Sequence, residues 1–435
     1  MKAVGIDIGT TSICLVLYDQ ESGRIQESVS APNRFLKGTF RQDADWIVSV
    51  AREKLDWLLE QDAGIGVIGI SAQMHGIVYV DREGMAVSPY YTWKETCGKK
   101  FFEGMEAAEW LSRKTGCPMY AGYGTVTHFV LDKMGEIPAE AVGMVNIGDY
   151  LAMRLCGLSE TGTDCSIAAS FGGFDLSAGR FDLGALRAAG VDTRFYPQVR
   201  TERRTAGYYR SIPVMPAVGD NQASVYAAAG EDSRVVSVNV GTGAQVSVTD
   251  TRLDPLQTGE IRPFTRQRYL YVQASVNGGK AYEKLAAFFE ETVELFTGAK
   301  TDAGIDVYEK MAAMGMAAGQ TTLVVTPSLC GARGEGSSSG SVRNLTEENF
   351  HPSDLVSAYV TGMAQELYQL YLKFPPDLRK GRRRIAASGN GIRKNRLLAQ
   401  EVERPFGMPL EFGEWKEEAA AGAAMMAVQA LQAGS

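Results

Sequence analysis

Two glycine-threonine turns are the residues of this sequence with the clearest chemical potential. Gly9-Thr10-Thr11-Ser12 and Gly241-Thr242-Gly243 each join two apolar runs that alternate with the period of a β-strand. Backbone N–H groups and hydroxyls at such turns suit phosphate oxygens, and glycine lets a ligand approach the backbone. For a single turn, a plain β-hairpin is the better explanation. The second copy, over half the chain away, favours two phosphate-binding turns.

Two aspartates stand beside these patterns. Asp7 lies two residues before Gly9 of the first turn, where a carboxylate can hold Mg²⁺ directly or through water. Asp220 follows Gly219 and opens an alanine-rich run, where a carboxylate can accept the proton of an attacking hydroxyl. The same position suits a helix N-cap, and the two interpretations are compatible.

A cluster of polar side chains follows an apolar strand at residues 65–70. Gln73 and His75 lie at its end, and Trp93 comes shortly afterwards. Donors and acceptors beside an aromatic ring suit a polyol. For His75 alone, a structural histidine with satisfied hydrogen bonds remains the alternative.

Composition excludes several other classes of protein. The 435 residues carry a net charge of −7, which gives no reason to expect a nucleic acid or an anionic membrane as partner. Six cysteines without a CxxC pair and three histidines without ligand spacing argue against a disulfide framework or a zinc site. Asp7 and Gly9 interrupt any signal-peptide core. We expect a cytoplasmic protein.

The elements that must position these residues read as two α/β lobes. An amphipathic helix at 45–60 precedes the strand at 65–70, and a helix at 355–371 precedes a strand at 385–388. A last helix is predicted at 416–431. With the repeated turns, this pattern indicates an internal duplication and a division into residues 1–230 and 231–435.

The succession of motifs resembles the FGGY carbohydrate kinases of the actin-like ATPase superfamily. The resemblance covers essentially the whole chain, and it is closest to the sedoheptulokinase branch, although Gln73-Met-His-Gly76 also resembles xylulokinases. One departure is Lys94-Glu95, where many relatives carry an Asn-Asp or Gln-Asp pair. The motifs are Gly5–Ser12, Gln73–Gly76, Trp93, Gly219–Gln222, Gly241–Gly243, Gly389–Gly391 and Ala419–Ala424.

The resemblance implies a fold and a set of cofactors. The expected fold is two actin-like (ribonuclease H-like) α/β domains, each a mixed sheet flanked by helices, with the active site in the interdomain cleft. Domain 1–230 would carry the sugar site, the phosphate turn and the catalytic aspartate, and domain 231–435 would bind the nucleotide. ATP and Mg²⁺ would be the cofactors.

The resemblance also assigns roles to individual residues. Asp220 would be the general base, and Asp7 would meet Mg²⁺. The sugar pocket would be lined by Gln73, Met74, His75, Trp93 and Asn221. The nucleotide would be held by Gly9, Thr10, Thr11, Ser12, Gly241, Thr242, Gly243, Gly389, Asn390, Gly391 and Asn395.

The expected reaction is ATP-dependent phosphorylation of a ketose at its terminal hydroxyl, with sedoheptulose giving sedoheptulose 7-phosphate. A xylulokinase-like or other pentulose or sugar-alcohol kinase is the alternative within the same class. From a different class, an actin-like ATP-binding switch protein without a sugar acceptor is the other alternative. A small sugar is the expected partner, neither a nucleic acid nor a membrane is expected, and a homodimer is compatible with the sequence.

Overall fold

The structure is a computed structural model that describes residues 1–200, 202, 204–265, 267–299, 306–329, 339–413 and 415–433. Its contacts divide the chain into two units. Unit 1 comprises Met1–Gly230, Arg262–Arg266 and Trp415–Ser435, and unit 2 comprises Glu231–Ile261 and Gln267–Glu414. The C-terminal segment thus packs within unit 1, whereas the sequence placed all of residues 231–435 in one domain.

Unit 1 is built on a seven-stranded mixed sheet. Its centre is a hairpin, the first hairpin, made of Lys2–Ile8 and Ser12–Asp19. Lys2–Ile8 also pairs in parallel with Ile65–Ala72, so that Asp7 lies opposite Ser71 at the end of both strands. The strands run in the order Gly207–Tyr209, Ile212–Val214, Ile65–Ala72, Lys2–Ile8, Ser12–Asp19 and Arg24–Pro32, with Val218–Gly219 also beside Ile65–Ala72.

Helices and short ladders complete unit 1. Its helices are Ala44–Gln61, Ala107–Thr115, Gly124–Met134, Ile147–Cys156, Cys165–Phe171, Leu183–Ala188, Asp220–Ala229 and Glu418–Ala433, with 3₁₀ turns at Cys97–Lys99 and Thr193–Phe195. Its two-stranded ladders pair Arg41–Gln42 with Tyr90–Tyr91, Val78–Val80 with Gly143–Val145, Phe101–Phe102 with Met105–Glu106, Thr163–Asp164 with Val199–Arg200, and Phe174–Asp175 with Arg180–Phe181.

The C-terminal helix, Glu418–Ala433, packs directly on this sheet, and glycines make the close approach feasible. A β-carbon on Gly5 would lie 1.8 Å from the Ala420 carbonyl oxygen, and one on Gly69 would lie 2.1 Å from that of Ala423. Any larger residue would therefore force the helix away from the sheet. These contacts explain part of the glycine surplus and the place of the last helix in unit 1.

Unit 2 contains a six-stranded sheet around a second hairpin, Val235–Val240 with Ala244–Asp250. The order is Glu260–Pro263, Tyr269–Ser275, Ala244–Asp250, Val235–Val240, Arg384–Ser388 and Leu410–Phe412, and a separate ladder pairs Val324–Thr326 with Ser341–Arg343. The helices are Gly279–Thr297, Val307–Ala318, Pro352–Leu372, Pro376–Arg379, Asn390–Arg393 and Arg396–Phe406.

The two sheets share one arrangement at their centres. In each, the first strand of the hairpin pairs antiparallel with the second and in parallel with a strand that follows a long helix. This is the arrangement that an internal duplication predicts.

No disulfide bond joins the cysteines in the described part of the chain. Cys14, Cys97, Cys117, Cys156 and Cys165 are all thiols. Cys330 lies outside the described residues. Among the helices of the described ranges, none combines the length and the apolar character that crossing a membrane requires.

Candidate active site

The first turn, Gly9–Ser12, is held by amide side chains from other parts of unit 1. The Gly9 N–H donates to the Ser12 carbonyl at 2.9 Å. Asn33 Nδ2 donates to the Gly9 carbonyl and Gln42 Nε2 donates to the Thr10 carbonyl, both at 2.9 Å. The turn therefore has a fixed shape without any ligand, which is what a phosphate-binding loop needs.

The hydroxyl of Thr10 links this turn to two predicted sugar ligands. It donates to Gln73 Oε1 at 3.2 Å and accepts from Trp93 Nε1 at 2.9 Å. Gln73 is buried, and its Nε2 donates to Gln42 Oε1 at 2.8 Å. The structure thus brings the first turn, Gln73 and Trp93 into one hydrogen-bonded group.

Asp7 lies at the end of the first strand with an unusual protonation equilibrium. Burial and the nearby Asp220 carboxylate raise the pKa of Asp7 to about 7, although the hydrogen bond from the Ser71 hydroxyl, at 2.5 Å, acts in the opposite direction. Two carboxylates held close together repel each other, which favours the protonated form of one of them. Such a site favours a cation.

Asp220 opens the helix Asp220–Ala229, the base helix. Burial raises the pKa of Asp220 to about 6, while the Asn221 N–H, which donates to Asp220 Oδ1 at 2.8 Å, and the Arg262 guanidinium limit the rise. Arg262 also donates to Asn221 Oδ1 at 3.0 Å. A carboxylate with this pKa is ionised at neutral pH and basic enough to take a proton.

The base helix does not use Asp220 as its N-cap. The cap is Gly219, which provides no side-chain hydrogen bond, and Asp220 is the first helical residue. The capping interpretation of Asp220 is therefore wrong. The functional interpretation of its carboxylate stays a prediction.

The loop Gln73–Gly76 follows the strand Ile65–Ala72 and is fastened by Asn146. The Asn146 amide donates to the carbonyls of Gln73 and Gly76 at 3.1 and 3.3 Å. Within this loop Met74 is buried, and its sulfur would lie only 2.9 Å from a β-carbon built on Gly219. The loop of predicted sugar ligands therefore packs against the residue that precedes Asp220.

His75 has a left-handed backbone with φ of 74°, which is uncommon for a residue other than glycine. Its ring stacks on Tyr123 with the centroids 4.4 Å apart, and its Nδ1 lies 2.7 Å from the Ser170 carbonyl oxygen. Because a carbonyl only accepts, Nδ1 must carry the proton in this contact.

The departure at Lys94-Glu95 has a structural explanation. Glu95 forms an ion pair with Arg41 at 3.0 Å, and the Lys94 ammonium lies 5.3 Å from the centre of the Trp93 ring. Trp93 itself is 43% exposed. The two charged residues thus fix the segment around Trp93 by contacts within unit 1.

The second turn, Gly241–Gly243, is supported by the backbone instead of by side chains. The N–H of Gly279, at the start of the helix Gly279–Thr297, donates to the Gly241 carbonyl at 2.7 Å, and that of Lys280 donates to the Thr242 carbonyl at 3.1 Å. A β-carbon on Gly278 would lie 2.1 Å from the Gly243 carbonyl oxygen. Glycine is thus required for these segments to pack.

Gly241 differs from its neighbours, because packing does not require a glycine there. A β-carbon on Gly241 would have Asn239 Oδ1, at 3.9 Å, as its closest neighbour among the contacts within 4 Å. A glycine with open space beside it is what the close approach of a ligand demands. In contrast, Gly389 and Gly391 both abut the Val240 carbonyl, at 2.5 and 2.7 Å from a built β-carbon.

The remaining predicted nucleotide ligands lie at helix starts. Asn390 begins the short helix Asn390–Arg393, with Gly389 as its N-cap. Asn395 is buried and accepts the Leu398 N–H at 3.0 Å, so it caps the helix Arg396–Phe406. Asn395 therefore has a structural task, and its contact with nucleotide stays a prediction.

The carboxylates of unit 1 fit a hard divalent cation, most of whose ligands are water molecules and substrate phosphates. In the described ranges, no group of three or more His, Cys, Asp or Glu side chains could hold a metal. Mg²⁺ commonly binds through one or two carboxylates, water and substrate phosphates. Asp7, which lies near the Asp220 carboxylate, is the residue that would provide such a carboxylate.

Sequence reasoning missed several residues that shape the site: Asn33, Gln42, Asn146, Ser166, Ser170 and Arg262. All of them act through contacts between segments far apart in the chain. The sequence offered no motif at these positions from which the contacts could be read.

Comparison with known proteins identifies the family. The N-terminal domain of the FGGY family of carbohydrate kinases matches residues 2–235, and the C-terminal domain of that family matches residues 236–431. The chain belongs to the FGGY family of carbohydrate kinases. It is therefore a sugar kinase, and the family takes its phosphoryl group from ATP, generally with a divalent metal.

Two relatives are similar to this chain over different shares of its length. Sedoheptulokinase of Mus musculus is 28% identical over an alignment of 481 residues including gaps, and the alignment covers 98% of this chain and 97% of the relative. Xylulose kinase of Streptomyces rubiginosus is 26% identical over 305 residues, which cover 65% of this chain and 62% of the relative.

Solved structures confirm the predicted fold class. The xylulose kinase of Lactobacillus acidophilus superposes with a TM-score of 0.83 at 21% identity, covering 99% of this chain and 90% of that one. The gluconate kinase of the same organism gives the same TM-score and identity, covering 99% and 89%. The fold is thus the actin-like, ribonuclease H-like α/β fold of sugar kinases.

Proposed function

We propose that this protein transfers the γ-phosphoryl group of ATP to the terminal hydroxyl of a ketose, with sedoheptulose as its sugar. The observation that carries the proposal is the placement of Asp220 in unit 1. Its half-buried carboxylate, with a pKa of about 6, follows the glycine against which Met74 of the Gln73–Gly76 loop packs. The proposed base, Asp220, therefore lies next to the loop whose side chains are proposed to bind the sugar.

In this proposal Asp220 accepts the proton of the attacking hydroxyl. Gln73, Asn221 and His75 bind other hydroxyls of the sugar, and Trp93 covers it with an aromatic face. Because phosphoryl transfer needs little covalent chemistry from the protein, alignment of this hydroxyl with the phosphorus supplies most of the catalysis.

The phosphates are assigned to the two turns. The first turn binds the γ-phosphate through the N–H groups and hydroxyls of Gly9, Thr10, Thr11 and Ser12, and the second turn binds the inner phosphates through Gly241, Thr242 and Gly243. Gly389, Asn390, Gly391 and Asn395 lie on the adenine side. Asp7 holds Mg²⁺, which when bound neutralises charge on the phosphate oxygens.

The choice of sedoheptulose is supported by the extent of the similarity. The match to sedoheptulokinases runs over nearly the full length of both proteins, whereas the match to the Streptomyces rubiginosus xylulose kinase covers 65% of this chain. Xylulose is the second candidate, since that partial match and the Gln73-Met-His-Gly76 string both favour it. An ATP switch without a sugar acceptor is inconsistent with membership of a sugar kinase family.

The test is ADP release from Mg-ATP with a panel of free sugars: sedoheptulose, xylulose, ribulose, fructose, gluconate and glycerol. We expect the highest kcat/KM with sedoheptulose and a product heavier than the sugar by one phosphoryl group in the mass spectrum. A higher kcat/KM with xylulose would favour the second candidate. ADP release that is equal with and without every sugar would contradict the proposed reaction.

A further inference from the structure

A seven-residue helix in unit 1 carries two buried serines one turn apart. This helix, Cys165–Phe171, is called the serine helix here, and its serines are Ser166 and Ser170. Residues four apart lie on the same face of a helix. Asp164 caps its start by accepting the Ser166 N–H at 2.8 Å.

Ser166 holds the residue that precedes the base. Its hydroxyl accepts the Gly219 N–H at 3.2 Å and donates to Asp164 Oδ1 at 2.5 Å. Gly219 is the N-cap of the base helix, so its position decides where Asp220 begins that helix. The Ser166 hydroxyl thus connects the base to a capped helix.

Ser170 holds His75 in the same way. Its hydroxyl accepts the His75 N–H at 2.9 Å and donates to the Ile167 carbonyl at 2.7 Å. Its own carbonyl oxygen lies 2.7 Å from His75 Nδ1. Together these contacts support the left-handed backbone of His75 and fix the direction of its ring.

The two held segments also touch each other. The Met74 sulfur packs against Gly219, so the Gln73–Gly76 loop contacts the start of the base helix directly. Both segments are also hydrogen-bonded to the serine helix. We propose that Ser166 and Ser170 are positioning residues, through which the serine helix sets the distance between the base Asp220 and the sugar ligand His75. This inference rests on the proposed function.

The kinetic test separates the two serines. Ser166→Ala leaves the Gly219 N–H without its acceptor and shifts the base, so kcat falls roughly ten- to hundredfold while KM for sedoheptulose changes less than about twofold. Ser170→Ala releases His75, so KM for sedoheptulose rises about tenfold and kcat changes less than about threefold. Should an alanine variant not fold, Ser166→Cys or Ser170→Cys, in which sulfur accepts poorly, takes its place.

The matched control is Ser112→Ala. The Ser112 hydroxyl likewise donates to a helical carbonyl, that of Ala108 at 2.7 Å, and accepts a loop N–H, that of Met119 at 2.8 Å, without contacting any predicted ligand. We expect this variant to lower Tm while kcat and KM per folded molecule stay unchanged. If Ser166→Ala and Ser170→Ala behave as Ser112→Ala does, or if both change the same kinetic parameter, the proposal is overturned.

Amide hydrogen exchange of the protein without substrate separates this inference from the proposed function. Ser166→Ala should accelerate exchange of the Gly219 amide, and Ser170→Ala should accelerate that of His75, each by about tenfold. A wild-type protein that phosphorylates none of the sugars contradicts the proposed function, whereas unchanged exchange at both amides contradicts the serine contacts.

Discussion

The first and second turns occupy equivalent places in their sheets but differ in charge. At the end of the first strand in unit 1, Asp7 accepts a hydrogen bond from Ser71, which lies opposite it on the parallel strand. At the corresponding place in unit 2, Asn239 donates to Ser388 at 2.7 Å, and these two residues are also register partners. The scaffold and the serine are the same, and the second sheet has an asparagine where the first has an aspartate.

This difference suggests a division of tasks. Unit 1 places Asp7 two residues before a turn rich in hydroxyls and near Asp220, whose carboxylate helps to raise the pKa of Asp7. Proton transfer and cation binding both use carboxylates. The second turn lies beside a neutral amide and a set of glycines whose backbone contacts define its shape. A neutral, backbone-lined turn binds phosphate without repelling it. We infer that charge chemistry belongs to the first turn and nucleotide binding to the second.

The largest expected effect concerns the base. Asp220→Asn removes the proton acceptor but keeps the shape, so kcat should fall by about 10² to 10⁴ while the Kd for ATP changes little. Steady-state kinetics and calorimetric titration with ATP measure the two quantities. Asp43→Asn is the control, because Asp43 caps the helix Ala44–Gln61 and asparagine caps equally well. A kcat within about threefold of the wild type would remove Asp220 from its assigned role.

Asp7→Asn makes the first turn resemble the second. Without the carboxylate the site loses its proposed cation ligand, and kcat should fall by about two orders of magnitude. The fall should be partly reversed at high Mg²⁺ concentration, since the phosphates still bind the cation. The dependence of rate on Mg²⁺ measures this effect. An unchanged Mg²⁺ dependence would show that Asp7 does not meet the metal.

Gly241→Ala tests the open space in the second turn. A methyl group meets no protein atom within about 3.9 Å, so Tm should hardly change. If phosphate occupies that space, KM for ATP should rise by roughly ten- to hundredfold, as for loss of a charge-assisted hydrogen bond. Gly184→Ala, in the helix Leu183–Ala188, is the control with equal volume. An unaltered KM for ATP would place the phosphates elsewhere.

Asn239→Asp makes the second turn resemble the first. The new carboxylate can accept from Ser388 as Asp7 does from Ser71, so folding should be retained. Repulsion between this charge and phosphate should weaken ATP binding by roughly tenfold, more at low than at high salt. Asn344→Asp adds the same charge to an exposed part of unit 2 and should leave Kd unaltered. Equal effects of the two variants would contradict the charge argument.

The smallest expected effect is on the free energy of unfolding of the protein without ligand. A folded-state pKa of about 7 for Asp7, against 3.8 for the ordinary side chain, means that the folded protein binds this proton more tightly than the unfolded chain. The free protein is therefore destabilised as pH rises from about 4 to 7. Asp7→Asn removes this penalty and should be more stable than the wild type by roughly 1 to 3 kcal/mol at pH 8.

The check is chemical denaturation of both proteins without ligand at pH 4.5 and pH 8. The stability advantage of Asp7→Asn should be smaller at the lower pH, where the carboxyl of the wild type is protonated. A constant difference between the two proteins would mean that the charge of Asp7 is not destabilising.

Periodicity predicted the elements around both turns well. The helix expected at 45–60 is Ala44–Gln61, and the strand expected at 65–70 is Ile65–Ala72. The helix expected at 355–371 is Pro352–Leu372. These elements combine a long apolar face with clear end signals, so local sequence determines them.

Contacts between distant segments were not predictable in the same way. The C-terminal helix was predicted at 416–431, and Glu418–Ala433 is a helix, but its packing on Gly5 and Gly69 depends on shape complementarity that no pattern shows. Likewise, nothing around Gln42 or Ser166 marks either residue as support for a functional turn. Such residues resemble ordinary buried polar residues until the fold brings their partners close.

The most direct test of the division of tasks applies the same two measurements to each of two variants. Asp220→Asn and Gly241→Ala are each assayed for the rate of a single turnover with saturating ATP and sedoheptulose, and for the Kd of ATP. The account predicts that Asp220→Asn loses turnover and keeps ATP affinity, while Gly241→Ala keeps turnover at saturation and loses affinity. Parallel losses of turnover and affinity in both variants would contradict it.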